Sequence, residues 1–379
     1  MKRIYLDNAA STPMDEDVFE VIKPYFCELV GNPSATHGHG RVLKSAIEKS
    51  RKTIAAHLNA LPSEIFFTGG GTEADNTILY GVVSHLGIQT IVSTDIEHHA
   101  VTHSIEHSVK QGKVKAIYLK VDEKGNISLS ELAEVLAENP KALVSLMHAN
   151  NEIGTLIDLH AVGEICKEYG ALFHSDTVQT IGHLPFDLQN TNVHFITGAA
   201  HKFYGPKGVG FMYVKQGYSL PPFIHGGSQE RNMRAGTENV AGIVGMSYAL
   251  DKCYANLEEK ETKLWALKNY MKAQLSENFP NVCFHGETEE GKSLSTILNT
   301  GFDCGGEEKM LLFNLDIRGI SVSGGSACTS GSLIGSHVLS GINAAVPSAV
   351  NAIRFSFGIQ NTQQEIDDTI QALKDVFAQ

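Results

Sequence analysis

The chain has 379 residues, 42% of them hydrophobic and 19% charged, and a formal net charge of −12. That length predicts two domains, since single cores stop growing at roughly 250–300 residues. The acidic balance argues against a sequence-independent grip on nucleic acid or on an anionic membrane.

The opening MKRIYLDNAA lacks the apolar core of a signal peptide, and no apolar run is long enough to span a bilayer. Six cysteines, Cys27, Cys166, Cys253, Cys283, Cys304 and Cys328, are scattered without CxxC pairs. That spacing gives neither a disulfide framework nor a zinc-finger pattern. A reducing cytoplasm is the expected location.

From about residue 64 to 214, β-rich runs alternate with helical stretches. EIFFT, QTIVS, VKAIYL, ALVSLM, ALFHS, NVHFIT and GVGFMYV predict strands, and EADNTILYGVVSHL and LSELAEVLAEN predict helices. This order predicts an α/β fold with a mostly parallel central sheet flanked by helices. Ligands in such sheets sit at the C-terminal strand ends. Residues 238–278 predict one or two long helices. Beyond them, strands at STILNT, IRGISVS and AIRFSF and helices near 306–314 and 362–377 predict a smaller α+β domain.

Four stretches bear on chemistry one by one. TGGGTEADN, 68–76, follows a strand and opens a helix, as an anion cup or as a plain tight turn. EHHAVTHSIEH, 97–107, puts His99, His103 and His107 on one helical face, a spacing open to metal ligation but without any further ligand fixed by spacing; no metal is expected. His98 instead opens that helix near a strand end, where a site residue belongs. GETEEGKS, 286–293, fits the P-loop pattern by letter. A strand follows it, however, and three glutamates within it repel phosphate, so it predicts a surface hairpin connection. SGGSACTSGS, 323–332, places Cys328 among small residues that cannot bury it, as a structural thiol or a mobile nucleophile.

HSDTVQT ends one strand with Asp176, and AAHKFYGPKG follows the next with Lys202. The two could form a plain ion pair. Joined with the glycine turn, they supply what pyridoxal 5'-phosphate needs: an amine for its Schiff base, an acid for its ring nitrogen and an anion cup.

YLDNAASTP, GNPSATHGHG, TGGGTEADN, EHHAV, MHANNEIG, SDTVQ, AHKFYGPKG, HGG, RAGTENV, GSACTSGS and IRFSFG, in that order, cover nearly the whole chain. The set resembles the cysteine desulfurases of the class V aminotransferase group, pyridoxal-phosphate enzymes of fold type I, in the branch with the longer mobile cysteine loop. The resemblance implies a large cofactor domain over 15–258 and a small domain of 1–14 plus 259–379, with the cysteine loop at about 323–346. It implies that Lys202 carries the cofactor and shuttles protons, that Asp176 pairs with the ring nitrogen, and that His98 stacks on the ring. Asn151 and Gln179 would contact the cofactor. Gly71, Thr72 and His201 would hold its phosphate, joined by Thr237 from the second subunit of a homodimer. Arg354 would clamp the carboxylate of L-cysteine, and Cys328 would take the sulfur as a persulfide while alanine leaves. His98 is a candidate to activate that thiol. Sulfur-acceptor proteins, an iron–sulfur scaffold or a tRNA-thiolation protein, would be the partners.

Two departures stand out. Ala199 occupies a position where the family commonly has Ser, and Thr177 replaces Ala between Asp176 and Gln179. The first removes a phosphate contact; the second crowds the ring or supplies a new hydrogen bond. Other readings share part of the pattern: a selenocysteine lyase, another pyridoxal-phosphate C–S lyase or aminotransferase, or a non-catalytic sulfur-carrier scaffold.

Overall fold

The structure is a computed structural model that describes residues 3–304, 309–324, 336–345 and 349–378. Its larger sheet has seven strands: β2 (Ile65–Thr68), β3 (Thr90–Thr94), β4 (Lys115–Leu119), β5 (Leu143–Ser145), β6 (Leu172–Asp176), β7 (Phe195–Ala199) and β8 (Gly210–Val214). Their spatial order is β2-β8-β7-β6-β5-β3-β4, and only β8 runs against the others. Most of these strands are continuous apolar runs because both faces are covered by helices. Val92, Val144, Phe173, Ile196 and Phe211, from five neighbouring strands, share one core with helices Glu16–Ile22, Gly38–His57 and Val240–Ala255. Burying each such side chain contributes about 1.5–3 kcal/mol.

The helices stop and start where their sequences say they should. Ser128 Oγ caps Leu129–Glu138 by accepting from Glu131 N–H at 3.2 Å, and Asp158 caps Leu159–Glu168. Thr362 and Glu365 form a reciprocal capping box at the start of Gln363–Phe377.

A second core gathers Ile4 and Leu6 with Leu264, Met271, Leu298, Phe355 and Leu373. It lies under an antiparallel sheet of β9 (Val282–His285), β10 (Ile297–Phe302) and β12 (Ala352–Ser356), in the order β12-β10-β9. The N-terminal β1 (Ile4–Tyr5) pairs in parallel with β11 (Ile320–Ser321), so the chain start joins the chain end. The 238–278 stretch is two helices, Val240–Ala255 and Leu257–Asn278. The P-loop-like GETEEGKS connects β9 to β10, a hairpin as its sequence context predicts.

Some boundaries moved. The strand expected over IRGISVS shrinks to Ile320–Ser321, and the helix expected near 306–314 is Leu311–Ile317. Both runs are short, with Gly319 in the left-handed region at φ 79° between them.

Candidate functional site

Five strand ends converge on one cavity of about 240 Å³. Gly71 and Thr72 follow β2, His98 follows β3, Asn151 follows β5, Asp176 ends β6, and Lys202 follows β7. Gln179, His201 and Arg354 complete the set, so nine of the eleven residues expected from sequence line a single space. Thr237 does not line it; it sits exposed before helix Val240–Ala255. Cys328 lies outside the described residues.

Helix Gly71–His85 aims its N-terminus at this space. Gly70 precedes it with φ 149° and ψ −179°, a conformation only glycine adopts without strain, and no side chain caps the helix start. Uncapped N–H groups and the helix dipole make that end an anion cup. A Cβ on Gly71 would come within 2.7 Å of Val178 Cγ2, so the backbone approaches closely because no side chain intervenes.

Lys202 Nζ donates to Ala10 O at 3.0 Å and to Ala9 O; Gln179 Nε2 donates to the same Ala9 carbonyl at 3.0 Å. The YLDNAASTP segment thus forms one wall. Asp176 Oδ1 accepts from Val178 N–H at 2.9 Å. Burial, and then the neighbouring Asp75 charge, push its carboxyl up to about 6. His98 Nδ1 accepts from Ala100 N–H at 3.1 Å, which places the proton of its neutral ring on Nε2. Burial lowers the His98 pKa, with the Lys202 charge adding to the effect and Asp176 opposing it.

Arg354 is buried. Its Nη1 donates to Asn151 O and its Nη2 to Asp7 Oδ1, each at 2.8 Å, while Nε has no partner among the described residues. Ser323 Oγ also donates to Asp7 Oδ1, at 2.9 Å, and the Ser323 backbone bonds that of Arg354. At the other root of the cysteine segment, His337 Nε2 lies 3.0 Å from Glu97 O, next to His98. Both ends of the stretch that carries Cys328 are therefore fastened to the cavity wall.

Thr177 does not crowd the cavity. It is fully buried, and its hydroxyl donates to Thr197 O at 2.6 Å, so Val178 is the lining residue at that turn. Ala199 does line the cavity. Of the three-histidine face only His99 and His103 stack, with ring centres 4.7 Å apart; His337 tilts against His99 at 4.5 Å, and His107 pairs with Gln111 instead. Among the described residues no His, Cys, Asp and Glu group is arranged to hold a metal. No described helix is long and apolar enough to cross a membrane.

Sequence reasoning missed Asp7, Asp75, Glu97 and His174. Asp75 lines the cavity as the fifth residue of helix Gly71–His85, and Glu97 lies beside His98 and is 2% exposed. Their proximity to the quoted motifs was the available signal.

The class-V aminotransferase family model matches residues 4–369. The chain is similar to cysteine desulfurase IscS of Dictyoglomus turgidum, 41% identical over 99% of this chain and 94% of the relative. It is also similar to cysteine desulfurase NifS of Azotobacter vinelandii, 36% identical over 100% and 94%. Among solved structures, a NifS-like protein superposes with a TM-score of 0.92 at 35% identity, covering both chains fully. SspA in complex with cysteine superposes at 0.81 and 30% identity, covering 94% of this chain and 99% of SspA. Cavity, sheet order and full-length identity agree: the chain belongs to the class-V aminotransferase family, in its cysteine desulfurase group.

Proposed function

We propose that this protein is a pyridoxal 5'-phosphate-dependent cysteine desulfurase that converts L-cysteine to L-alanine and captures the sulfur as a persulfide on Cys328. The observation that carries this reading is the meeting of Lys202, Asp176 and the uncapped Gly71–His85 helix start around one cavity. The residues fit the cofactor. A buried carboxyl pushed up by desolvation calls for a cationic nitrogen, and the helix start calls for a phosphate.

When bound, the cofactor supplies an electron sink conjugated to the substrate α-carbon. Lys202 would hold it through Nζ and, once displaced by the substrate amine, take the α-proton. Asp176 would keep a proton on the ring nitrogen, with Gly71, Thr72 and His201 on the phosphate and Asn151 and Gln179 on the ring substituents. Thr237, exposed on one chain, would reach the phosphate of a second copy in a homodimer. His98 would stack on the ring and donate or relay a proton through its Nε2–H; to deprotonate Cys328 at Nε2 it would first have to pass that proton on. Arg354 would take the substrate carboxylate, which satisfies its unpartnered Nε.

The Cys328 thiolate would attack the substrate sulfur, forming the S–S bond as the C–S bond breaks toward carbon. A proton returned to that carbon gives alanine. Cysteine and a protein thiol thus become alanine and a protein persulfide, and no outside oxidant is required. The persulfide would pass to acceptor proteins in the cytoplasm, an iron–sulfur scaffold or a tRNA-thiolation protein. The two separate cores support a large domain over 15–258 and a small one of 1–14 plus 259–379.

The test is reconstitution with the cofactor followed by L-cysteine and a reductant. Wild type is expected to show a visible cofactor band and to release alanine and sulfide; Lys202→Ala, folded by circular dichroism, is expected to lose the band and both products. A cofactor-loaded wild type that yields neither product contradicts the reading. A selenium-only enzyme would act on selenocysteine alone.

A further inference from the structure

Behind Asp176 lies a second buried acid that the proposed chemistry leaves without a task. Asp75, on the second turn of Gly71–His85, is 1% exposed and lines the same cavity. Its Oδ1 lies 3.4 Å from His174 Nε2, and neither atom has a hydrogen-bond partner among the described residues. The other ring nitrogen, His174 Nδ1, lies 2.9 Å from Ser145 Oγ, whose residue holds the end of β5. Thr197 Oγ1, on β7, lies 3.5 Å from Asp176 Oδ1.

An ionised Asp75 beside an ionised Asp176 would set two like charges side by side in a dry space. Like charges so placed suppress each other's ionisation. Two orphaned buried atoms facing each other, one able to give a proton and one able to accept it, resolve the conflict if a single proton sits between them.

We propose that Asp75 and His174 hold one proton between them as a neutral pair, which positions the helix start and leaves Asp176 as the carboxylate that pairs with the cofactor's ring nitrogen. Asp75 is a positioning residue in this account, and the inference rests on the pyridoxal-phosphate reading of the cavity. The titratable groups facing it are His174 and Asp176 on β6 and Glu97 after β3, with His98 and Lys202 across the cavity. Burial moves the pair in the required directions, Asp75 up to about 7 and His174 down to about 4. Glu97 is pushed up to about 8, chiefly by burial.

The pair's charge is read from the pH midpoint of the holoenzyme's visible cofactor band, and its positioning role from the cofactor dissociation constant. Asp75→Asn is uncharged, nearly isosteric, and its amide can donate to His174 Nε2 in place of the shared proton. It is expected to leave the midpoint within about 0.3 units of wild type and the dissociation constant within about threefold. Asp75→Ala strands His174 Nε2 and is expected to weaken cofactor binding about tenfold or more, with Asn as the rescuing substitution. A midpoint lowered by about one unit in Asp75→Asn means the pair carried a negative charge, and overturns the proposal. Wild-type affinity in a folded Asp75→Ala overturns the positioning role. Absence of any Lys202-dependent band in wild type instead removes the cofactor reading itself, a result distinct from either.

Discussion

Arg354 Nη2 and Asp7 Oδ1 lie 2.8 Å apart, joining the arginine at the cavity wall to the N-terminal segment. Ser323 donates to the same Asp7 oxygen, so the root of the cysteine segment and the arginine share one acceptor. The carboxylate and the Asn151 carbonyl fix the guanidinium plane from two sides, as a fork needs to be fixed before it can grip an incoming carboxylate.

Arg354→Lys therefore keeps the positive charge but loses the fork. The expected outcome is a rise in KM for L-cysteine of about ten- to hundredfold, the size of one charge-assisted hydrogen bond, with a smaller change in kcat. Steady-state alanine production against cysteine concentration checks this. An unchanged KM would place the substrate carboxylate elsewhere.

Ala199 lines the cavity at 1% exposure, with the position a Cβ would take on Gly71 only 3.8 Å from its own Cβ. A serine there sets a hydroxyl beside the helix start. Ala199→Ser is expected to tighten pyridoxal phosphate about three- to tenfold, the net value of one added hydrogen bond. Fluorescence titration of the cofactor-free protein measures it, and an unchanged dissociation constant rules the contact out.

The pH dependence follows from His98. Burial depresses its pKa, so the folded ring stays neutral to lower pH than the ordinary value of about 6.5. The relay works from the neutral ring, whose proton sits on Nε2, so the acid limb of kcat that belongs to His98 lies below that value. His98→Gln is expected to abolish this limb and to lower kcat about 10²–10⁴-fold. A wild-type limb centred above 6.5 that survives the substitution belongs to another group.

The sheet was legible because its strands are apolar runs bounded by turn residues, and because the βα order leaves few topologies. Lys202, Asp176 and the Gly71–Thr72 turn were legible for a related reason: each follows a strand that the pattern already located. Asp75 and Glu97 were not. An acid on a helix or a loop is solvated in most sequences, and only packing shows these two to be 1% and 2% exposed. Thr177 was open between crowding the ring and a hydrogen bond, because the direction of its side chain depends on the turn after β6. That turn sends the hydroxyl to Thr197 O. The pairing of β1 with β11 joins two residues to two residues across the whole chain, too short a match for any periodicity to reveal.

The central claim is that Cys328 receives the substrate sulfur, and both roots of its segment are tied to the cavity through Ser323 and His337. The direct measurement is a single turnover of holoenzyme with L-cysteine and no reductant, followed by intact-protein and peptide mass spectrometry with alanine assayed in the same sample. Wild type is expected to yield one sulfur on the Cys328 peptide for each alanine released. Cys328→Ala, with its cofactor band intact, is expected to yield neither. Alanine formed equally by Cys328→Ala, or sulfur found on another cysteine, would contradict the account.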